Sequence, residues 1–172
     1  MGLEPLFRFA NAWSSFAPGF AVHLFQGRIT VADMDKMEGL GMAWRAKHPG
    51  SIVEMVIVFP SPARPDDDER KRLVRLVGNR ERDRTAAATV VLADGLMGAM
   101  QRSILTALTM MRRPPHPSKV FASVADAAEW IDPHYRAVRV LGVDRFDIES
   151  TVSAMCAAFA ERNAAPAVAE IR

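Results

Sequence analysis

Along the chain, short apolar runs alternate with segments whose apolar residues recur every three to four positions. The first run is two-part. Phe7, Phe9, Asn11 and Trp13 share one side at period two, and Phe20-Ala-Val-His-Leu-Phe is apolar on both sides except at His23. Pro18-Gly19 lies between them and reads as a turn, so residues 7–16 and 20–26 predict a β-hairpin. Thr30-Val31-Ala32-Asp33 resembles a capping box and opens a predicted helix over 31–47, with Met34, Met37, Gly41 and Trp44 on one side. His48-Pro49-Gly50 ends it.

The run at 52–59 predicts a strand covered on both faces. Asp66 to Glu69 place four acids at the start of the next helix, where they complement the positive end of its dipole. Leu73, Leu76 and Val77 supply its stripe. Residues 87–93 predict a second buried strand, 95–111 a long helix, 119–122 a short strand, and Ser123 caps a helix to Ile131. Asp132-Pro133 reads as a fresh helix start over 133–141. Asp147 caps a last helix to Arg162, with Ile148, Val152, Met155 and Phe159 as its seam.

Strands joined through helices run parallel, and the opening hairpin makes the sheet mixed. The expected fold is α/β: a mixed, mostly parallel five-stranded sheet with packed helices. It occupies residues 1–132, and 133–172 form a helical C-terminal extension packed on it or on a partner.

Composition narrows the function classes. The 172 residues suit one domain, and 49% apolar with 24% charged residues is an ordinary globular balance. Lys and Arg number 22 against 20 Asp and Glu, so the net charge of +2 carries no nucleic-acid signal. The basic residues around Arg70 to Arg84 are nearly cancelled by Asp66 to Glu69, Glu81 and Asp83, with no interleaved aromatic; they read as a solvated face. Cys156 is the single cysteine, which fits a reducing, cytoplasmic setting. The first residues lack the basic and apolar regions of a secretory signal. Residues 9–27 carry no charge, but Asn11, Pro18, Gly19 and His23 argue against a membrane span.

Three stretches resemble a known family: Phe20-Ala-Val-His-Leu-Phe-Gln-Gly-Arg-Ile-Thr-Val-Ala-Asp-Met, Thr89-Val-Val-Leu-Ala-Asp-Gly, and Lys119-Val-Phe-Ala-Ser-Val-Ala-Asp-Ala-Ala-Glu-Trp-Ile. Together, over about residues 7–132, they are similar to bacterial STAS-like domains (sulfate transporter and anti-sigma factor antagonist), especially the branch compared with lipid-transfer proteins. The resemblance implies the fold and permits either protein or lipid binding. Anti-sigma antagonist members carry a phosphorylated serine in an Asp-Ser-Ser-Gly setting. Here Phe59-Pro60-Ser61-Pro62 precedes Asp66-Asp67-Asp68, the motif is missing, and the role is not carried to Ser61.

No nucleophile–base pair, metal-ligand spacing or nucleotide loop stands out, so no catalytic residue, metal or cofactor is expected. His23 reads as a hydrogen-bonded core histidine, His48 and His116 as exposed loop residues, and Cys156 as a small hydrophobe.

The helix at 95–111 is the informative element. Arg102 is its only charge before Arg112, and Met97, Met100, Ile104, Leu108 and Met111 form a stripe with Leu96, Leu105 and Met110 beside it. A helix apolar nearly all round needs cover on more than one side. The sheet is expected to bury the Met97–Ile104–Leu108 side. The remainder is covered by residues 133–163, by a second subunit, or by a hydrophobic ligand between helix and sheet. The expected function is a non-catalytic protein-interaction or scaffolding domain, self-associating as a homodimer. Its binding residues are Met97, Met100, Met110 and Met111, with Arg102, Arg112 and Arg113 at the rim.

Overall fold

The computed structural model describes residues 3–63, 65–79, 84–112, 114–138 and 146–164. Six strands lie in one sheet in chain order: β1 (Glu4–Arg8), β2 (Ala12–Ala17), β3 (Phe20–Gln26), β4 (Ile52–Phe59), β5 (Arg84–Val91) and β6 (Ser118–Phe121). The first two pairings are antiparallel and the last three parallel. The helices are α1 (Val31–Lys47), α2 (Asp67–Asn79), α3 (Gly95–Arg112), α4 (Val124–Ala137) and α5 (Ile148–Ala164).

The mixed α/β sheet is as expected, with one strand more. Residues 7–16 are not one strand: the chain reverses after β1, closed by a hydrogen bond from Phe9 N to Ala12 O. Phe7 and Trp13 therefore sit in separate cores on opposite faces of the sheet, not on one side. The Pro18–Gly19 turn is present, with Gly19 at φ 78°, a conformation glycine adopts without Cβ strain. β4 and β5 are parallel neighbours.

Period-two alternation divides the core between two faces. Phe20, Val22 and Leu24 of β3, Val53, Met55 and Ile57 of β4, and Ala88 and Val90 of β5 point to one side. There α4 contributes Ala127, Ala128, Ile131 and Tyr135, and α5 contributes Ile148, Val152 and Phe159. Phe159 packs edge-on to Trp13 at 5.3 Å and tilted on Phe59 at 4.9 Å. The opposite face is covered by α1 and α2, whose Met34, Met37 and Leu76 meet Phe7, Ala12 and Ile29. Within the expected α2 stripe, Leu76 is buried, Leu73 is 36% exposed, and the side chain of Val77 lies outside those described.

Local capping follows the sequence. Thr30 Oγ1 accepts from Asp33 N, and Ser123 Oγ accepts from Asp126 N. Asp66 accepts from the amides of Asp68 and Glu69, while Glu69 accepts from Asp66 N, a reciprocal box at the start of α2. Asp147 accepts from Ser150 N.

The expected break at Asp132-Pro133 does not occur. One helix runs through Pro133, and Asp132 instead pairs with Arg136. A proline inside a helix costs about 3 kcal/mol. Ile131 and Tyr135, one turn apart and 0% and 2% exposed, hold both sides of the proline in the core and offset that cost. Among the described residues, no helix is long and apolar enough to cross a membrane.

Candidate functional site

α3 follows β5 through Ala93, Asp94 and Gly95. Gly95 takes φ 63°, the left-handed region, to turn the chain. Gly98 sits so close to the end of β5 that an added Cβ would lie 1.7 Å from Ala93 O. Only glycine allows that approach. Arg102, one turn on, sends Nη1 to Val91 O at 3.2 Å and Ala93 O at 2.9 Å. Val91 is the last paired residue of β5 and Ala93 lies beyond it, at the strand end where backbone carbonyls need partners. Gly98, Arg102 and the half-buried Leu105 thus define the inward side of α3.

The opposite side is apolar and open to solvent. Leu96 is 88% exposed, Met97 52%, Met100 49%, Ile104 52%, Met110 71% and Met111 79%. At 100° per residue these six fall within an arc of about 140°. The expectation that the sheet buries the Met97–Ile104 side is overturned. The helix turns that side outward because Gly98 and Arg102 have to meet the strand end. Leu108 and Arg112 have side chains outside those described, and Arg113 also lies outside the described residues. Arg102 is not a rim residue; its guanidinium faces in. The seam of α5 is committed to the sheet and α4, away from this face.

A second constellation lies beneath α1 and was not foreseen. Ser14 Oγ is 2.5 Å from His23 Nδ1, and His23 Nε2 is 2.9 Å from Glu54 Oε1. Glu54 Oε2 pairs with Arg84 Nε. Ser14, His23 and Glu54 are 0%, 1% and 4% exposed. With a carboxylate as partner, Nε2 carries a proton and donates to Glu54 Oε1, and Nδ1 faces the serine hydroxyl, which can either donate or accept. The expected hydrogen-bonded core histidine is there. Its partners come from neighbouring strands: Ser14 is directly opposite His23, and Glu54 is opposite Ala21. A glutamate inside an otherwise apolar strand was the sequence signal for it.

Of the remaining candidates, His48 is exposed as expected, but His116 is buried, with Nδ1 beside Ser118 Oγ at 3.1 Å. Cys156 is half-buried, and burial pushes its thiol up to about 11, as befits a hydrophobe rather than a nucleophile. Ser61 Oγ accepts from Ala63 N and closes a local turn. The basic face of α2 is only partly solvated. Arg70 and Lys71 pair with Asp67 and Asp68 at the surface, whereas Arg72 is buried against Asp35 and Glu38 of α1. Among the described residues, no group of three or more His, Cys, Asp and Glu is placed to hold a metal ion.

No family model and no curated protein sequence matches the chain. Among solved structures, an uncharacterised DUF3478-family protein from Shewanella loihica PV-4 with a SpoIIAA-like fold is similar over 70% of this chain and 93% of its own. The TM-score is 0.55 at 14% identity. The likeness is one of fold: this chain has a SpoIIAA-like, STAS-like α/β architecture.

Proposed function

We propose that the domain is a non-catalytic interaction module that self-associates through the outer face of α3. The observation that carries this is the set of six large apolar side chains on one helix face, each about half exposed or more. Taking ~200 Å² for a fully accessible residue of this size, they expose roughly 800 Å², above the largest apolar patch of a typical monomer and close to one partner's share of a standard interface. A second copy is the natural occupant. Two such faces related by a two-fold axis bury each other, and flexible methionines let identical surfaces interdigitate. The lone, half-buried thiol suits a reducing compartment. The Ser14–His23–Glu54 chain supports the non-catalytic reading, since its serine is fully buried.

Sedimentation velocity tests this. The native chain sediments as a dimer at high micromolar concentration, and Met110→Glu with Met111→Glu gives a folded monomer. A native chain that is monomeric at that concentration, or a double variant that stays dimeric, overturns the reading.

A further inference from the structure

Sulfur is unevenly placed in this fold. Met34 and Met37 of α1 and Met55 of β4 are buried in the two cores, none more than 2% exposed. The four methionines of α3, at 97, 100, 110 and 111, share one helix face and are each about half exposed or more. The seating of Gly98 and Arg102 on the end of β5 fixes that face outward. Cys156 is half-buried, and its raised thiol leaves little thiolate at neutral pH. A thioether has no proton to lose, so its attack on an oxidant needs access and not ionisation. Access is what the α3 methionines have.

We propose that the outer face of α3 is an oxidation site, whose methionines peroxide converts to sulfoxides, and that the modified face no longer self-associates. The inference rests on the self-association proposed above. A sulfur lone pair attacks one peroxide oxygen. The S–O bond forms as the O–O bond breaks, and the second oxygen leaves as water with the two peroxide protons. Each thioether loses two electrons and the peroxide gains them. A flexible apolar end thereby becomes a polar group that accepts hydrogen bonds. In the free subunit, water satisfies the new oxygen. Between two copies of the face there is little to satisfy it. Among the described residues of the arc, only Ser103 offers a side-chain donor, one hydroxyl against four sulfoxides. Burying an unpaired oxygen is unfavourable, so oxidation favours the separate subunit. The linkage runs both ways: assembly shields the sulfurs, and peroxide reaches them when the subunits part.

Hydrogen peroxide is the probe, added to the full chain and followed by peptide mass spectrometry and sedimentation velocity. Met42, exposed on α1 and outside this face, is the internal reference. In dilute protein the four α3 methionines gain oxygen at rates comparable to Met42 and before Met34, Met37 and Met55. At high micromolar concentration their rates relative to Met42 fall by about tenfold or more, as assembly shields them. The oxidised chain keeps its circular dichroism spectrum and sediments as a monomer, its dissociation constant raised by about a hundredfold or more. Methionine sulfoxide reductases restore the dimer. The variant with Met97→Leu, Met100→Leu, Met110→Leu and Met111→Leu keeps the face apolar and remains a dimer in peroxide. Should that variant not assemble, the rate ratios and the reversal by the reductases still decide. A native chain that is monomeric before oxidation overturns both the assembly and this proposal. A native dimer that survives oxidation of all four methionines, a loss of fold on oxidation, or a leucine variant dissociated by peroxide overturns this proposal alone.

Discussion

His23 Nε2 lies 2.9 Å from Glu54 Oε1, with both side chains buried between the sheet and α1. The pair is part of a chain in which every member has a partner, from Ser14 through to Arg84. Removing one partner from a buried ionic group leaves another without compensation and costs about 3–5 kcal/mol. Glu54→Ala is expected to destabilise by that amount. Glu54→Leu combined with His23→Leu is expected to cost less than the two single changes together, because the double change leaves no imidazole facing a lost carboxylate, while Arg84 loses its partner equally in Glu54→Leu and in the double variant. Urea unfolding of the three variants checks it; additive losses would mean that the two residues are not energetically coupled.

The sequence made regular elements legible wherever a local signal and the core agreed. The Thr30–Asp33 and Ser123–Asp126 caps mark helix starts in the chain and in the structure. β4 spans the very run of apolar residues that predicts it. The misreadings arose where distant contacts outweighed local cues. Pro133 reads as a helix start, yet Ile131 and Tyr135 draw both flanks into one core. The reversal at Phe9 to Ala12 has no Gly or Pro to announce it. The apolar face of α3 was visible as a stripe, but its direction was not. That direction is set by Gly98 and Arg102 meeting the end of β5, and helical period does not encode which side touches a strand. The polar chain under α1 depends on strand register, which sequence spacing alone does not reveal.

The seating of α3 gives a direct test. At Gly98, alanine would place Cβ 1.7 Å from Ala93 O and 2.5 Å from Ala93 C, both backbone atoms, so the helix has to move. Gly98→Ala is expected to destabilise by about 1–3 kcal/mol, the usual range for overpacking, and to raise amide exchange along α3. Thermal unfolding and hydrogen exchange measure the two effects. Native-like protection of α3 in the variant would show that the close approach is absent in solution.

Glu69 ties the start of α2 to the loop after β3. Its carboxylate accepts from Arg28 Nε and Nη2, and this hydrogen bond first, then the bond from Asp66 N and the attraction of Arg28, hold its pKa below the ordinary glutamate value. Desolvation and the nearby Asp66 carboxylate oppose that lowering without cancelling it. A carboxylate with a lowered folded pKa contributes stability above its unfolded pKa and loses it as pH falls through the folded value. Glu69→Gln should therefore lower the urea midpoint at pH 7, with the deficit shrinking in acid below the ordinary glutamate range. A deficit that is the same at both ends of the titration would place its origin in packing, not in charge.

Val91 and Val56 separate a buried charge that is provided for from one that is not. Val91 ends β5, is 1% exposed, and lies opposite Val58 of β4. Val56 is half-buried in β4, two residues from Glu54 on the same side of the strand. The sheet accepts Glu54 because His23 and Arg84 meet both of its oxygens. A glutamate at 91 would enter an apolar position of parallel sheet, and burying an ionised carboxylate without partners exceeds the 5–15 kcal/mol stability of a domain this size unless the group takes up a proton. Val91→Glu is expected to give unfolded or aggregated protein at pH 7. Val56→Glu, with part of its side chain able to reach water, is expected to fold with a lowered melting temperature. Circular dichroism melts of the two variants decide the point: a folded Val91→Glu with native-like stability would contradict the interior position of β5.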